Sequence, residues 1–274
     1  MQEILQLEQV CYSYEEHTDA LTDCTVGIGA GERIAVLGSN GAGKSTFFLL
    51  ANGVLTPKRG QILLDGQPVG ASGRERNRLR RRVGLVFQEP DVQILAGTVR
   101  QEISFGPMNL GLSEQEAAER VDRTMEQLDL TEYRNRAPQY LSGGEKKRVT
   151  LADVLAMQPR IMLLDEPTAS LDPANTRLLE QTLGQLEQQG ITLVISTHDV
   201  DFAWRWAERI LVFHEGHLVC DAAPEQVFAD AELLARCGLR RPMLYEVCEI
   251  LNIEPRRTME AFRAACQQAT EENK

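Results

Sequence analysis

No apolar run in this chain approaches the length needed to cross a bilayer, about 18–20 residues. The longest clusters, such as Phe47 to Ala51, fall far short. The chain is therefore not expected to form a membrane path by itself. Near Met1-Gln2-Glu3 no basic region is followed by an apolar segment, so no signal peptide is expected. Positive charge is also scarce: 29 Lys and Arg against 40 Asp and Glu give a net charge of −11. That balance argues against broad attraction to nucleic acid or anionic lipid. The six cysteines, Cys11, Cys24, Cys220, Cys237, Cys248 and Cys266, contain no C-x-x-C pair. They read as reduced thiols of a cytosolic protein. Internal repeats and low-complexity tracts are missing as well.

One local exception to the acidic balance is the run Arg74-Glu75-Arg76-Asn77-Arg78-Leu79-Arg80-Arg81-Arg82. It reads as a solvated helix face leading into a buried strand, since one short run rarely outweighs an acidic whole. Otherwise the composition is ordinary. Apolar residues make up 43% and charged residues 25% of 274 positions. That suits one large soluble domain or two small ones.

Apolar β-rich segments alternate with helical ones, which predicts an α/β fold with a parallel sheet and crossover helices. Arg33 to Leu37 reads as a buried strand, with a helix from Lys44 to Ala51 stopped at Asn52-Gly53. Val83 to Phe87, Ile161 to Leu164 and Ile191 to Ser196 read as further buried strands. Ile4 to Tyr14 and Leu21 to Ile28 read as antiparallel strands joined by a turn. Residues 89–158 are expected to form a helical insert. Within it, Ser113-Glu114-Gln115-Glu116 is a capping box that opens a helix running to about Leu128. Asp172-Pro173 places a cap and then a proline at the start of another helix, ending near Gly190. The expected division is a large α/β domain over 1–239 and a C-terminal helical extension over 240–274.

Three stretches carry chemistry. Gly38-Ser39-Asn40-Gly41-Ala42-Gly43-Lys44-Ser45 fits G-x-x-x-x-G-K-[ST] between a strand and a helix. Its glycines let the backbone fold into a nest of N–H groups facing phosphate, and the helix N-terminus adds positive potential. Lys44 can reach the β- and γ-phosphates, and Ser45 offers a hydroxyl to Mg²⁺. Asp165 closes an apolar run and so falls at the carboxyl end of a buried strand, where open α/β sheets bind ligands. There it can hold Mg²⁺, while Glu166 is placed to act as base on an attacking water. The third stretch, Leu141-Ser142-Gly143-Gly144-Glu145, precedes a helix with Val149, Ala152, Leu155 and Ala156 on one face. It is a second helix-end anion site. One chain thus carries one phosphate loop and one separate phosphate-facing helix end, and two chains arranged head-to-tail would close two sites.

Tyr14, the loop at 38–45, Gln88, Leu141 to Glu145, Asp165-Glu166, Ser170-Leu171-Asp172 and His198 follow one another as in ABC-type ATPases. The chain resembles that family from about residue 3 to 238. The resemblance implies a P-loop NTPase core, an antiparallel β subdomain and a helical subdomain. A finer resemblance rests on Phe87-Gln88-Glu89-Pro90-Asp91-Val92-Gln93, Phe105-Gly106-Pro107-Met108-Asn109-Leu110-Gly111-Leu112 and Lys146-Lys147-Arg148. It is to the ATPase subunits of energy-coupling-factor importers, especially the cobalt and nickel group.

What the resemblance implies is an ATP-hydrolysing subunit that drives uptake of a transition metal ion, most of all cobalt. ATP and Mg²⁺ would be its cofactors. Nucleotide contacts carry over to Tyr14, stacking on adenine, to Gly38, Ser39, Asn40, Gly41, Ala42, Gly43, Lys44, Ser45 and Thr46, and to Ser142, Gly143, Gly144 and Asp172. Ser142 and Gly144 would contact a γ-phosphate held by another subunit, and Asp172 would cross the subunit boundary. Lys44, Gln88, Glu166 and His198 carry the catalytic roles, and Ser45, Gln88 and Asp165 the metal. Implied partners are a transmembrane coupling protein, a substrate-binding membrane protein and a second ATPase subunit, with a homodimer expected. Nucleic acid is not among them. The chain would work at the cytoplasmic face of the membrane.

Three alternatives share parts of this pattern: a nickel or vitamin importer with the same motor, a soluble ABC ATPase acting on nucleic acid or ribosomes, and a non-hydrolysing nucleotide-binding regulator. The second usually carries a long coiled coil or two ATPase domains, and neither is seen. The third is opposed by the intact Glu166 and His198. The family usually has Gln where Glu145 stands, so an added negative charge near a phosphate site is expected.

The remaining features are structural in this reading. His214-Glu215-Gly216-His217 fits a surface hairpin better than a metal site. His17 is expected at the surface. Of Trp204 and Trp206, two apart on a helix, one is expected in the core. Val99, Ile103 and Phe105 line a groove for a helix of the membrane protein or belong to the core. Met243, Leu244, Val247, Ile250 and Leu251 have helical spacing and either support a dimer or pack on their own chain.

Overall fold

The structure is a computed structural model that describes residues 3–15 and 18–272; the expectation for His17 lies outside them. In chain order the elements begin with β1 (Glu3–Glu15), β2 (Thr18–Gly29), β3 (Arg33–Leu37) and α1 (Lys44–Ala51). Next come β4 (Arg59–Leu64), β5 (Gln67–Pro68), α2 (Gly73–Arg80) and β6 (Val83–Val86). A helical stretch follows: α3 (Pro90–Gln93), α4 (Val99–Asn109), α5 (Glu114–Gln127) and α6 (Gly143–Leu155). Then alternate β7 (Ile161–Asp165), α7 (Pro173–Gln188), β8 (Thr192–Ser196), α8 (Val200–Trp206), β9 (Arg209–His214) and β10 (His217–Ala222). The chain finishes with α9 (Pro224–Ala229), α10 (Ala231–Cys237), α11 (Met243–Ile250) and α12 (Met259–Glu272).

Two sheets result. One is six-stranded, ordered β10-β9-β3-β8-β7-β6. Its strands β9, β3, β8, β7 and β6 run parallel, and β10 closes the edge antiparallel to β9. The other is antiparallel and ordered β2-β1-β4-β5. Strands covered on both faces should read as unbroken apolar runs, and Val-Gly-Leu-Val of β6 and Ile-Met-Leu-Leu of β7 are buried throughout. Each fully buried Leu or Ile contributes about 1.5–3 kcal/mol relative to exposure. Between the two sheets α1 inserts Phe47 and Phe48, and the Phe47 ring lies 5.2 Å from that of Phe213 on β9.

The sequence reading misses β4 and β5. Arg59-Gly60-Gln61 opens β4 with exposed polar residues, so its apolar pattern is only three residues long. The basic run forms α2, with Leu79 buried and the sequence feeding into β6. The four residues His214 to His217 turn the β9–β10 hairpin, and no group of three or more metal-ligand side chains occurs among the described residues. Trp204 is the core tryptophan: its indole N–H donates to Arg256 O at 2.9 Å, and its ring meets those of Phe228 and Tyr245 edge-on. Through these contacts residues beyond 240 pack onto α8. Met243, Ile250 and Leu251 remain exposed. No disulfide joins cysteines among the described residues.

Candidate nucleotide site

The phosphate loop joins the central strand β3 to α1, and two of its glycines are required by space and by φ. Gly38 has φ 145°, and a Cβ there would lie 2.3 Å from Phe213 O. At Gly43, φ is 105° and a Cβ would lie 2.8 Å from Ala20 O. Any side chain would push the loop off the sheet or off the β1–β2 hairpin. The result is a cleft of about 250 Å³ at the carboxyl end of the parallel strands. It gathers Tyr14, Asn40 to Thr46, Gln88, Asp165, Glu166 and His198 from five separate stretches of chain. Gly38 and Ser39 stand beside it, their carbonyls accepting from Lys44 Nζ at 2.6 and 3.1 Å. These satisfy two of the three ammonium donors and leave one for a phosphate oxygen. Burial lowers the Lys44 pKa, against the raising influence of Glu166 and Asp165.

Asp165 ends β7 with both carboxylate oxygens held. Ser45 Oγ donates to Oδ2 at 2.7 Å, and Ser196 Oγ donates to Oδ1 at 2.5 Å. Ser196 also accepts from the Glu166 N–H at 2.9 Å. The sequence reading missed Ser196. Its signal was a hydroxyl at the carboxyl end of the apolar run Leu193 to Ile195, beside the strand of Asp165.

Glu166 has φ 45°, in the left-handed region that costs a residue with a side chain. This turn carries its carboxylate out of the strand line toward His198, whose Nε2 stands 3.0 Å from Oε1. The pair is close but not aligned as a hydrogen bond, so Glu166 Oε1 is buried with no donor. Burial raises the Glu166 pKa, while His198, Lys44 and the His198 backbone N–H pull it down. A buried acceptor without a donor, facing a cleft, fits the task of taking a proton from water.

Mg²⁺ suits this donor set: a carboxylate, a hydroxyl and an amide oxygen are hard ligands for a small divalent cation. Thr46 is buried in α1, and its hydroxyl lies 3.3 Å from the hydroxyl of Tyr14. The Tyr14 ring is 59% exposed and stands edge-on to Tyr12, which leaves a face open for a base.

Ser142, Gly143, Gly144 and Asp172 do not line this cleft. Ser142 and Gly143 are exposed at the start of α6. There Ser142 and Glu145 form a capping box: the Ser142 N–H donates to Glu145 Oε2 at 2.6 Å, and Glu145 N–H donates to Ser142 Oγ at 3.3 Å. Glu145 is thus an internal acceptor of α6, its carboxyl held below the usual range by the Ser142 N–H and the Tyr133 hydroxyl. That bond pushes Tyr133 up to about 12. The expected extra charge is therefore tied down within the helix end. Gly144 is buried, and a Cβ there would sit 2.3 Å from Asn175 Oδ1. Asn175 in turn donates to Asp172, which caps α7 through Ala174 N and Asn175 N at 2.8 and 2.9 Å. One corner therefore holds Gly144 and Asp172 together, away from the phosphate loop.

A parallel sheet with a phosphate loop on its central strand and an acid pair on the next strand but one defines a P-loop cassette that hydrolyses ATP. The comparisons agree with that class. A profile of the ABC transporter family matches residues 21–169. The energy-coupling factor transporter ATP-binding protein EcfA of Methanothermobacter thermautotrophicus is 47% identical over 239 residues, 87% of this chain and 77% of that one. The structure of cbiO1 from Clostridium perfringens, described as part of the ABC transporter complex cbiONQ, superposes with a TM-score of 0.76. It is 37% identical and covers 92% of this chain and 100% of its own. A dimeric, post-hydrolysis state of the ATP-binding cassette MJ0796, bound to ADP and Pi, is 28% identical with a TM-score of 0.71. It covers 80% of this chain and 98% of its own. The chain belongs to the ABC transporter family, among the ATP-binding proteins of energy-coupling factor transporters. No helix among the described residues is long and apolar enough to cross a membrane.

Proposed function

We propose that this ATPase drives import of a transition metal ion, cobalt before nickel or a vitamin, from the cytoplasmic face of the membrane. The observation that carries the motor reading is the single cleft in which Lys44, Ser45 and Asp165 meet Glu166 and His198. The cobalt reading rests on the sequence phrases from Phe87 and Phe105 and on the likeness to cbiO1, part of a cbiONQ complex.

In this reading Lys44 and the loop N–H groups grip the β- and γ-phosphates, and Tyr14 stacks on the base. Glu166 Oε1 accepts a proton from the attacking water, and His198 beside it faces the γ-phosphate. Ser45, Asp165 and Gln88 hold Mg²⁺, which when bound supplies charge neutralisation on the phosphate oxygens. Ser142, Gly144 and Asp172 serve a nucleotide held by a second, identical subunit, because they stand apart from their own chain's cleft. ATP is then a bridge whose charge is neutralised only when both halves close.

A second hollow, about 660 Å³, borders the Gln88 loop and is lined by Asn52, Val54, Arg81, Leu85, Phe105 and Leu110 among others. Phe105 is 65% exposed there, whereas Val99 and Ile103 are fully buried in the core. We assign this hollow to a helix of the transmembrane coupling protein, so Phe105 belongs to the groove and Val99 and Ile103 do not.

The test is uptake by vesicles carrying the complete complex. ATP-dependent entry of labelled cobalt, abolished by Lys44→Ala, is expected. Entry of nickel or a vitamin alone would replace the cargo assignment. Turnover that survives Lys44→Ala would overturn the motor reading itself.

A further inference from the structure

Lys147 is a cation on the buried face of α6, one and two turns before Leu151 and Val154, and it is only 3% exposed. Among the described residues it has no carboxylate within ion-pair distance, and burial lowers its pKa to about 8. Buried ammonium groups are kept only where their donors are used. Here Nζ donates to Gln88 O at 2.7 Å and to Phe87 O at 3.3 Å. It therefore grips the main chain of the very loop that carries the Gln88 side chain into the nucleotide cleft.

A second clamp acts on the same loop. The Phe87 N–H donates to Gln93 Oε1 at 3.2 Å. Gln93 Nε2 then donates to Thr150 O and to Asp153 Oδ2, both at 3.0 Å. Residues 87–93 are thereby bound to the second and third turns of α6 through main-chain atoms on both sides of the Phe87–Gln88 peptide. Neighbouring Lys146 also points to this segment, but its partner Asp91 is 76% exposed, and such surface pairs contribute little.

The helix that receives these bonds is the one whose N-terminus presents Ser142 and Gly143. We propose that Lys147 is a positioning residue for hydrolysis, fixing the Gln88 loop of one nucleotide site to the helix end that serves the site opposite. The inference rests on the two-subunit reading above. Its consequence is that Gln88 and Ser142 of one chain move as a single body, so closure at one site sets the geometry at the other. Lys147 itself does not line the nucleotide cleft; it acts through the Gln88 backbone.

The test uses the full chain with Mg²⁺ and ATP, comparing Lys147→Met, Lys147→Arg and Lys146→Met. For Lys147→Met a loss of at least about tenfold in kcat is expected, with KM for ATP within about twofold, because the phosphate loop is untouched. The Hill coefficient for ATP should fall toward one. Arginine, which keeps a buried donor, should restore most of the rate, and Lys146→Met should stay within about twofold. If Lys147→Met does not fold, Lys147→Leu, which also lacks a donor, replaces it, with the same expected split. Retained kcat in a folded variant overturns the proposal. So does a loss that tracks melting temperature and is not restored by arginine. Failure of the underlying reading is distinguishable: wild-type protein would then show no cooperativity in ATP and no turnover dependent on Glu166.

Discussion

Two helix N-termini in this protein look alike in sequence and differ in surroundings. Both have glycine at the helix start, α1 just before its first residue and α6 within its first turn, and both offer backbone N–H groups suited to phosphate. At the first, α1 starts inside a cleft among buried charges: Lys44 on loop carbonyls, Asp165 on two hydroxyls and Glu166 against His198. At the second, α6 starts on the surface, already capped by its own Ser142 and Glu145. The first end has catalytic groups of its own chain around it. The second lies outside that cleft, with Ser142 and Gly143 exposed. In the two-subunit reading proposed above, a cassette with one enclosed and one open phosphate-facing helix end is closed by a second copy.

The sharpest way to break this comparison is Glu166→Gln in the enclosed site. Turnover should drop by at least about 100-fold, in the range removed with a general base. The variant should also elute as an ATP-dependent dimer in sizing. Monomers alone in ATP would show that the open end does not meet an opposing nucleotide. Smaller in effect is Ser142→Ala in the open site. Losing the cap should cost about 1 kcal/mol, or roughly 2–4 °C in melting temperature for a chain of this size. Turnover should fall several-fold while the isolated chain binds ATP unchanged. Equal loss of monomer affinity would mean that the two ends are not separate. The smallest change is Glu145→Gln. The amide oxygen can still accept from Ser142 N–H, so stability should stay within about 0.5 kcal/mol and turnover within about twofold. A larger drop would show that the carboxylate charge itself matters at this helix end.

Much of the enclosed site was legible before any coordinates. The loop at 38–45 sits where an apolar strand meets a helix, and Asp165 ends a run of buried residues; both are local patterns. Less legible were residues whose role depends on a distant neighbour. Ser196 lies 31 positions from Asp165, Lys147 lies 59 from Gln88, and Gln93 reaches 57 to Thr150. Nothing in their immediate neighbours names those partners, although a lysine on the apolar face of α6 was a visible irregularity. The strands β4 and β5 were missed for a related reason: half of β4 is polar and exposed, and its pairing with β1 comes from across the sheet. Glu145 was read as a stray charge because a capping box is recognised only once the helix start is placed at Ser142.

Sequence alone determined the chemistry of each part: which backbone turns can hold phosphate, which acids stand at strand ends, and that no segment of the chain is apolar enough to span a bilayer. Tertiary structure decided which of those parts share a cleft. It set Glu166 against His198, seated Lys147 beneath Gln88 and left Ser142 facing outward. The physical reason is range. Turn geometry and strand burial are fixed by adjacent residues, whereas a hydrogen bond between α6 and the loop after β6 exists only when the sheet has brought the two together.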